Sequence, residues 1–265
     1  MTETATIAVA QFAPTSHAEA NLEVIAGLAE SAARRGASLI VFPEYSSWFA
    51  PEFGTDWVEA AQPLDGEFVT RLGALASSLG VHLVAGFVER AEESRVSNTL
   101  VAVDPTGQLV ATYRKLHLYD AFGAKESTWV VPGEIEAPQT FVWGGFTVGL
   151  QTCYDIRFPE VTRRLVDAGA DLVLVPAEWV RGPLKEQHWR TLVTARAIEN
   201  TIFVAAADHT PPVGVGNSMV VDPFGVELVT LGEQTAAAVV EISPERIREV
   251  REINPALALR RFRVV

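Results

Sequence analysis

Apolar residues in this chain come in short runs, separated by segments whose apolar positions recur every three or four residues. TIAVAQF (6–12), SLIVFPE (38–44) and VHLVAGFVER (81–90) read as buried strands. Helices are predicted between them over 17–36 and 66–80. The first carries Leu22, Ile25, Leu28 and Ala32 on one face and stops at Gly36, as helix ends prefer. SNTLVAVDPTGQLVATYRK (97–115) reads as two strands around an Asp-Pro-Thr-Gly turn. The alternation then continues. A hairpin over 141–153 turns at Gly144-Gly145. Helix 159–169, strand 171–176, helix 184–200, strand 201–207, a hairpin over 217–231 around DPFG, strand 236–242 and a helix from Pro244 to about Ile253 follow.

Strands interleaved with helices predict an α/β protein with buried sheets. The two halves also echo each other. RGASLIVFPE (35–44) matches AGADLVLVPA (168–177), NTLVAVDPTGQLVATY (98–113) matches NSMVVDPFGVELVT (217–230), and TIAVAQF more loosely matches TVGLQTC. Three echoes in one order point to a duplicated plan. Each half makes a sheet with helices on one face, and the bare faces bury against each other. The expected fold is a four-layer α-β-β-α sandwich with pseudo-duplicated halves. No low-complexity segment or charge block divides the chain, so residues 1–265 are expected to form one domain.

Composition narrows the function. Of 265 residues, 48% are apolar and the formal net charge is −12. An acidic surface disfavours nucleic acid and anionic membranes, whose binding draws on Lys and Arg. No apolar run is long enough to span a bilayer, and the first residues lack the basic and apolar blocks of a signal peptide. A cytoplasmic location is expected. The five histidines lack metal-ligand spacing, no glycine-rich phosphate loop is present, and one cysteine cannot build a thiolate metal site. Neither metal nor cofactor is expected.

Three polar residues close apolar strands: Glu44 after LIVFP, Lys115 after LVATYR, and Cys153 after TVGLQT. Singly, the charged pair reads as solvated loop residues and the cysteine as inert core filler. Together they can do chemistry. A thiol attacks only as thiolate and needs a base or a cation beside it. A carboxylate can take its proton, and an ammonium can stabilise an oxyanion. A binding protein would not need this set, and a redox switch would want a second cysteine.

FPEY, YRKLHLYD and CYDIRFPE resemble, in order, the three signature segments of the nitrilase superfamily, the carbon–nitrogen hydrolases. The resemblance runs from residue 6 to about 255. It implies the same sandwich and a Glu-Lys-Cys triad of Glu44, Lys115 and Cys153. It also implies a second glutamate within FGAKESTWVVPGE, assigned to Glu126, with Glu134 and Glu136 nearby. Tyr154-Asp155 stands where nitrilases carry Trp-Glu, so the resemblance favours the amidase branches, similar to omega-amidases and aliphatic amidases. A nitrilase or an N-carbamoyl amide hydrolase is the alternative. The expected substrate is a small amide, lined by Tyr45, Phe49, Tyr119 and Trp179. The Tyr154 N–H would aid the oxyanion, and Arg181 either binds a substrate carboxylate or lies on a surface loop. His117 and Asp120 are expected to fix the Lys115 loop, and Asp155 to pair with Arg157. By the same resemblance a homodimer is expected, with the tail 254–265 packed on its own or a partner subunit.

Overall fold

The computed structural model describes residues 4–264. The first three residues and Val265, which close the expected domain at its two ends, lie outside the described residues. Strands β1 (Ala5–Gln11), β2 (Leu39–Val41), β3 (His82–Arg90), β4 (Val96–Val103) and β5 (Leu109–Arg114) belong to one sheet. Strands β6 (Thr140–Trp143), β7 (Phe146–Leu150), β8 (Leu172–Ala177), β9 (Phe203–Asp208), β10 (Met219–Val221) and β11 (Glu227–Thr230) form the other. The last strand, β12 (Ala236–Ile242), returns to the first sheet. The orders are β12-β1-β2-β3-β4-β5 and β11-β10-β9-β8-β7-β6.

Duplication is visible in the pairing. Parallel β1-β2-β3 matches parallel β7-β8-β9, and an antiparallel pair extends each. Leu39 lies opposite His82 in the first sheet as Leu172 lies opposite Phe203 in the second. Even the turns agree. The Asp104 carboxylate accepts from Thr106 N and Gln108 N, and that of Asp222 accepts from Phe224 N and Val226 N. Gly107 and Gly225 both follow with positive φ, 83° and 85°, a conformation that glycine adopts without steric cost.

Helices α1 (Ala18–Arg34) and α3 (Glu67–Leu79) cover the first sheet, and α4 (Pro159–Asp167) and α5 (Lys185–Asn200) the second. Strand side chains alternate between faces. Ile7 and Val9 therefore meet Leu172 and Leu174 between the sheets, while Ala8 and Ala10 face α1, and Val173 and Val175 face α4 and α5. Each fully buried Leu or Ile contributes about 1.5–3 kcal/mol, so the central parallel strands are held from both faces, while β5 and β11 at the edges are half exposed. The short helix α2 (Thr55–Ala60) was not expected. Its sequence is too brief for periodicity, and it is held by Trp57, which packs edge-on against Tyr45 and Trp48. Helix α6 (Pro244–Ile253) starts at Ser243, whose hydroxyl accepts from Arg246 N.

Candidate active site

The carboxyl ends of β2 and β7 and the end of β5 converge on one buried polar cluster. Glu44 is 0% exposed, Lys115 3%, Glu126 3% and Cys153 5%. Lys115 Nζ lies 2.9 Å from Glu44 Oε1 and 3.0 Å from Glu126 Oε2. Asn98 Nδ2 donates to Glu44 Oε1 at 2.5 Å and to Glu126 Oε1 at 3.2 Å. The Tyr45 hydroxyl donates to Glu126 Oε1 at 2.8 Å, and Tyr119 N to Glu126 Oε2 at 2.5 Å. Two carboxylates are thus clamped around one ammonium, an arrangement that buried charge requires. Burial pulls the Lys115 ammonium down, but Glu126 and Glu44 outweigh it and hold it well above its ordinary value.

The sulfur joins this cluster through the backbone of one residue. Cys153 Sγ contacts the Glu178 carbonyl at 3.5 Å, and Glu178 N donates to Glu44 Oε2 at 2.6 Å. Cys153 opens a single tight turn (153–157) after β7 with φ of 45°. That value is costly for a residue with a side chain and persists only where surroundings enforce it. Here Thr152 and Asp155 cap the turn reciprocally, and the Thr152 hydroxyl donates to Pro176 O at 2.8 Å. Burial first, then the charge of Glu44, pushes the thiol well above its usual range against the pull of Lys115. At neutral pH the sulfur is therefore protonated and needs a base during attack.

Glu44 is aimed by its own backbone. His209 Nε2 donates to Glu44 O at 2.6 Å. A Cβ at Gly86 would lie 2.5 Å from Tyr45 N and 2.6 Å from Glu44 Cα, so only glycine lets β3 pass this close. Burial holds His209 neutral, lowering it from 6.5 to about 4. Asp208 accepts from Trp179 N at 2.6 Å and Val215 N at 2.9 Å, which fixes the segment carrying Glu178.

A cavity of about 40 Å³ opens over the sulfur, lined by Tyr45, Lys115, Glu126, Cys153, Glu178 and Lys185, with Tyr119, Tyr154 and Trp179 also in its wall. Its volume suits a small group such as a carboxamide. Expected pocket residues are thus brought together with two exceptions. Phe49 packs on Trp57 and His209. Arg181 does not line the cavity. Its guanidinium pairs with Glu233 at 3.2 Å, both being half exposed, because the chain turns outward after Trp179. The expected Asp155–Arg157 pair is not formed. Asp155 accepts instead from Tyr113 OH and from His117 N and Nδ1, which does tether the Lys115 loop. Asp120 caps Ser127 beside Glu126.

Asn98, Glu178, Lys185 and His209 were not anticipated. Two left traces. Asn98 is polar within the otherwise buried β4. Glu178 lies one residue beyond the position that the duplication pairs with Glu44. His209 and Lys185 become significant only through contacts far along the chain.

Two sheets sandwiched between helices, with a buried cysteine, lysine and glutamates at the strand ends, define a class of thiol hydrolase folds. The carbon–nitrogen hydrolase model matches residues 6–252, and the chain belongs to that family. It is 41% identical over 262 residues to a deaminated glutathione amidase of Escherichia coli O157:H7, covering 97% of both chains. The NitFhit protein of C. elegans superimposes with a TM-score of 0.88 at 29% identity, over 98% of this chain and 66% of that one. An amidase variant from Nesterenkonia sp. AN1 gives 0.79 at 29% identity, over 98% and 97%. It carries the acetamide moiety of fluoroacetamide covalently on its active-site cysteine. The chain is accordingly a hydrolase of carbon–nitrogen bonds, of amidase type.

Proposed function

We propose that the protein hydrolyses a terminal carboxamide of a small aliphatic or omega-amide substrate through a cysteine thioester. The observation that carries this reading is the backbone of one residue, Glu178, whose carbonyl touches the Cys153 sulfur and whose N–H donates to the Glu44 carboxylate. Glu44 takes the thiol proton as Sγ attacks the amide carbon. Lys115 Nζ and the Tyr154 N–H receive the oxyanion. Such donors are worth roughly 10²–10³ in rate each. The C–N bond then breaks, Glu44 passes its proton to the nitrogen, and ammonia leaves the thioester. Water, deprotonated by Glu44 or Glu126, adds to the thioester carbon and releases the acid and the thiol. Glu126, held by Tyr45, Asn98 and Lys115, keeps the ammonium in place.

The adduct on the Nesterenkonia cysteine supports a covalent route, and the name of the Escherichia coli relative makes deaminated glutathione a substrate to try. Cys153→Ala is expected to abolish ammonia release from the best amide, and Glu44→Gln to slow acylation severely. Unchanged release by Cys153→Ala would end this reading. Screening 2-oxoglutaramate, glutaramate, propionamide, a nitrile and a carbamoyl amino acid separates amidase from nitrilase and carbamoyl hydrolase.

The same reading takes the chain as one catalytic domain working in the cytoplasm as a homodimer. Among the described residues no helix is long and apolar enough to cross a membrane. Leu259 and Phe262 in the tail are 71% and 90% exposed, as residues awaiting a partner surface would be. Light scattering of the full chain tests the dimer.

A further inference from the structure

A buried lysine stands in the cavity wall and, among the described residues, makes no ion pair with any carboxylate. Lys185 opens α5 and is 7% exposed. Its Nζ donates to the Tyr119 hydroxyl at 2.7 Å. The ammonium lies 4.0 Å from the ring centroid of Phe122 and 5.7 Å from that of Trp179. The Arg157 guanidinium carbon lies 4.8 Å from the same Trp179 centroid and 5.6 Å from that of Phe122. Two cations therefore share two aromatic rings. Arg157 Nε is buried without a hydrogen-bond partner, and Nη2 meets His188 Nδ1 at 3.4 Å. Among the described residues neither cation makes an ion pair.

The electrostatics of this corner oppose a merely structural role. A helix N-terminus carries partial positive charge and favours anions, yet α5 begins here with a lysine and with no side chain capping its first turn. Burial, then the charge of Arg157, pulls the Lys185 ammonium below its ordinary value. Glu178 is the acid on the cavity wall nearest in chain to this segment. Burial and Glu44 push it up, and it makes no ion pair with Lys185. Glu186, in the first turn of α5, is exposed to solvent.

We infer that Lys185, backed by Arg157 and the N-terminus of α5, receives a free carboxylate of the substrate, at the end remote from the amide that Cys153 attacks. The substrate class is then the short omega-carboxamide carrying a carboxylate, in preference to a neutral amide. The inference rests on the amidase reading. Trp179 and Tyr119 flank the cation and shape an apolar slot for the connecting methylenes. A carboxylate at this point forms charge-assisted bonds, the strong kind, and relieves the repulsion between the two cations.

The test compares kcat and KM for glutaramate and butyramide in the full-length enzyme. The wild-type protein is expected to prefer glutaramate. In Lys185→Met the ratio of kcat/KM values, glutaramate over butyramide, should fall about thirtyfold or more, as losing a buried charge partner does. The change should lie in KM. Lys185→Arg should restore most of the ratio, and Arg157→Gln should fall between. An unchanged ratio in Lys185→Met, or a wild-type preference for butyramide, overturns the inference. A second measurement needs no variant to fold. Glutarate should slow alkylation of Cys153 by iodoacetamide in the wild-type protein more than butanol does, and equal protection overturns the inference. If Cys153→Ala still released ammonia, the amidase reading would fall, whereas the glutarate protection would still decide the anion site.

Discussion

The two halves share a backbone plan and differ in what they place on it. Lys115 N donates to Asn98 O at 2.9 Å after β5, and Leu231 N donates to Ser218 O at 2.8 Å after β11. The same main-chain bond thus presents an ammonium in the first half and an isobutyl group in the second. By the matched registers, Gly86 in β3 corresponds to Ala207 in β9, and Glu44 after β2 to Ala177 at the end of β8. β1 ends in Gln11, and Gln151 directly follows β7. Only the second continues into a turn with a left-handed cysteine. Duplication supplied two similar sheets. The buried cluster breaks their symmetry, with both glutamates and the lysine from the first half and the sulfur from the second. A site built between halves needs both to be folded.

Transplanting second-half residues into the first breaks this comparison in graded steps. Lys115→Leu leaves Glu44 and Glu126 buried without their cation. Ammonia release should fall at least about 10³-fold, and the unfolding free energy by about 3–5 kcal/mol, read from urea melts. Gly86→Ala, copying Ala207, drives a methyl into the Glu44 backbone. The expected cost is about 3 kcal/mol, with a fall in kcat because the carboxylate is moved. Failure of either to destabilise would show that the halves are interchangeable here.

A pH experiment sharpens the same contrast at His209. Below pH 6.5 the unfolded chain binds a proton that the folded histidine refuses until about 4. Stability is therefore full above 6.5 and is lost as pH falls through that window, by roughly 3 kcal/mol at its foot. Buried acids such as Asp208 and Glu178, which burial pushes upward, act in the opposite sense. The contribution is isolated as the difference between wild type and His209→Gln in urea melts from pH 8 to 4. A constant difference would contradict a buried neutral histidine. Asn98→Ser, copying Ser218, removes bonds to both glutamates and is expected to cost about 1–2 kcal/mol. The smallest effect belongs to Arg71→Gln. This removes the exposed pair with Glu19 on the helical face, and the denaturation midpoint should not move measurably.

Much of the fold was legible because the central strands are buried on both faces. Runs such as LIVFP and LVLVP can satisfy that environment, and the Asp-Pro-x-Gly turns punctuate them in both halves. Helix α2 was not legible, since six residues carry no readable period and its place is set by the packing of Trp57. Glu44, Lys115 and Cys153 stood out as polar residues closing apolar strands, and the family resemblance joined them. Of the two places left open for Arg181, the structure gives the surface loop, and Lys185 stands in the cavity wall instead. Arg181 and Lys185 lie on one short segment, and nothing local distinguishes a side chain that turns out to Glu233 from one that folds under Trp179.

From the sequence alone came the layers, the duplication and the strand-end residues. These depend on local periodicity and turn chemistry, which short stretches carry by themselves. Tertiary structure decided the partners: Asn98 and Tyr45 on the glutamates, the Glu178 backbone between sulfur and carboxylate, and Lys185 in the cavity wall. Such contacts join residues tens to more than a hundred positions apart. Their energy comes from burial, which no single segment contains.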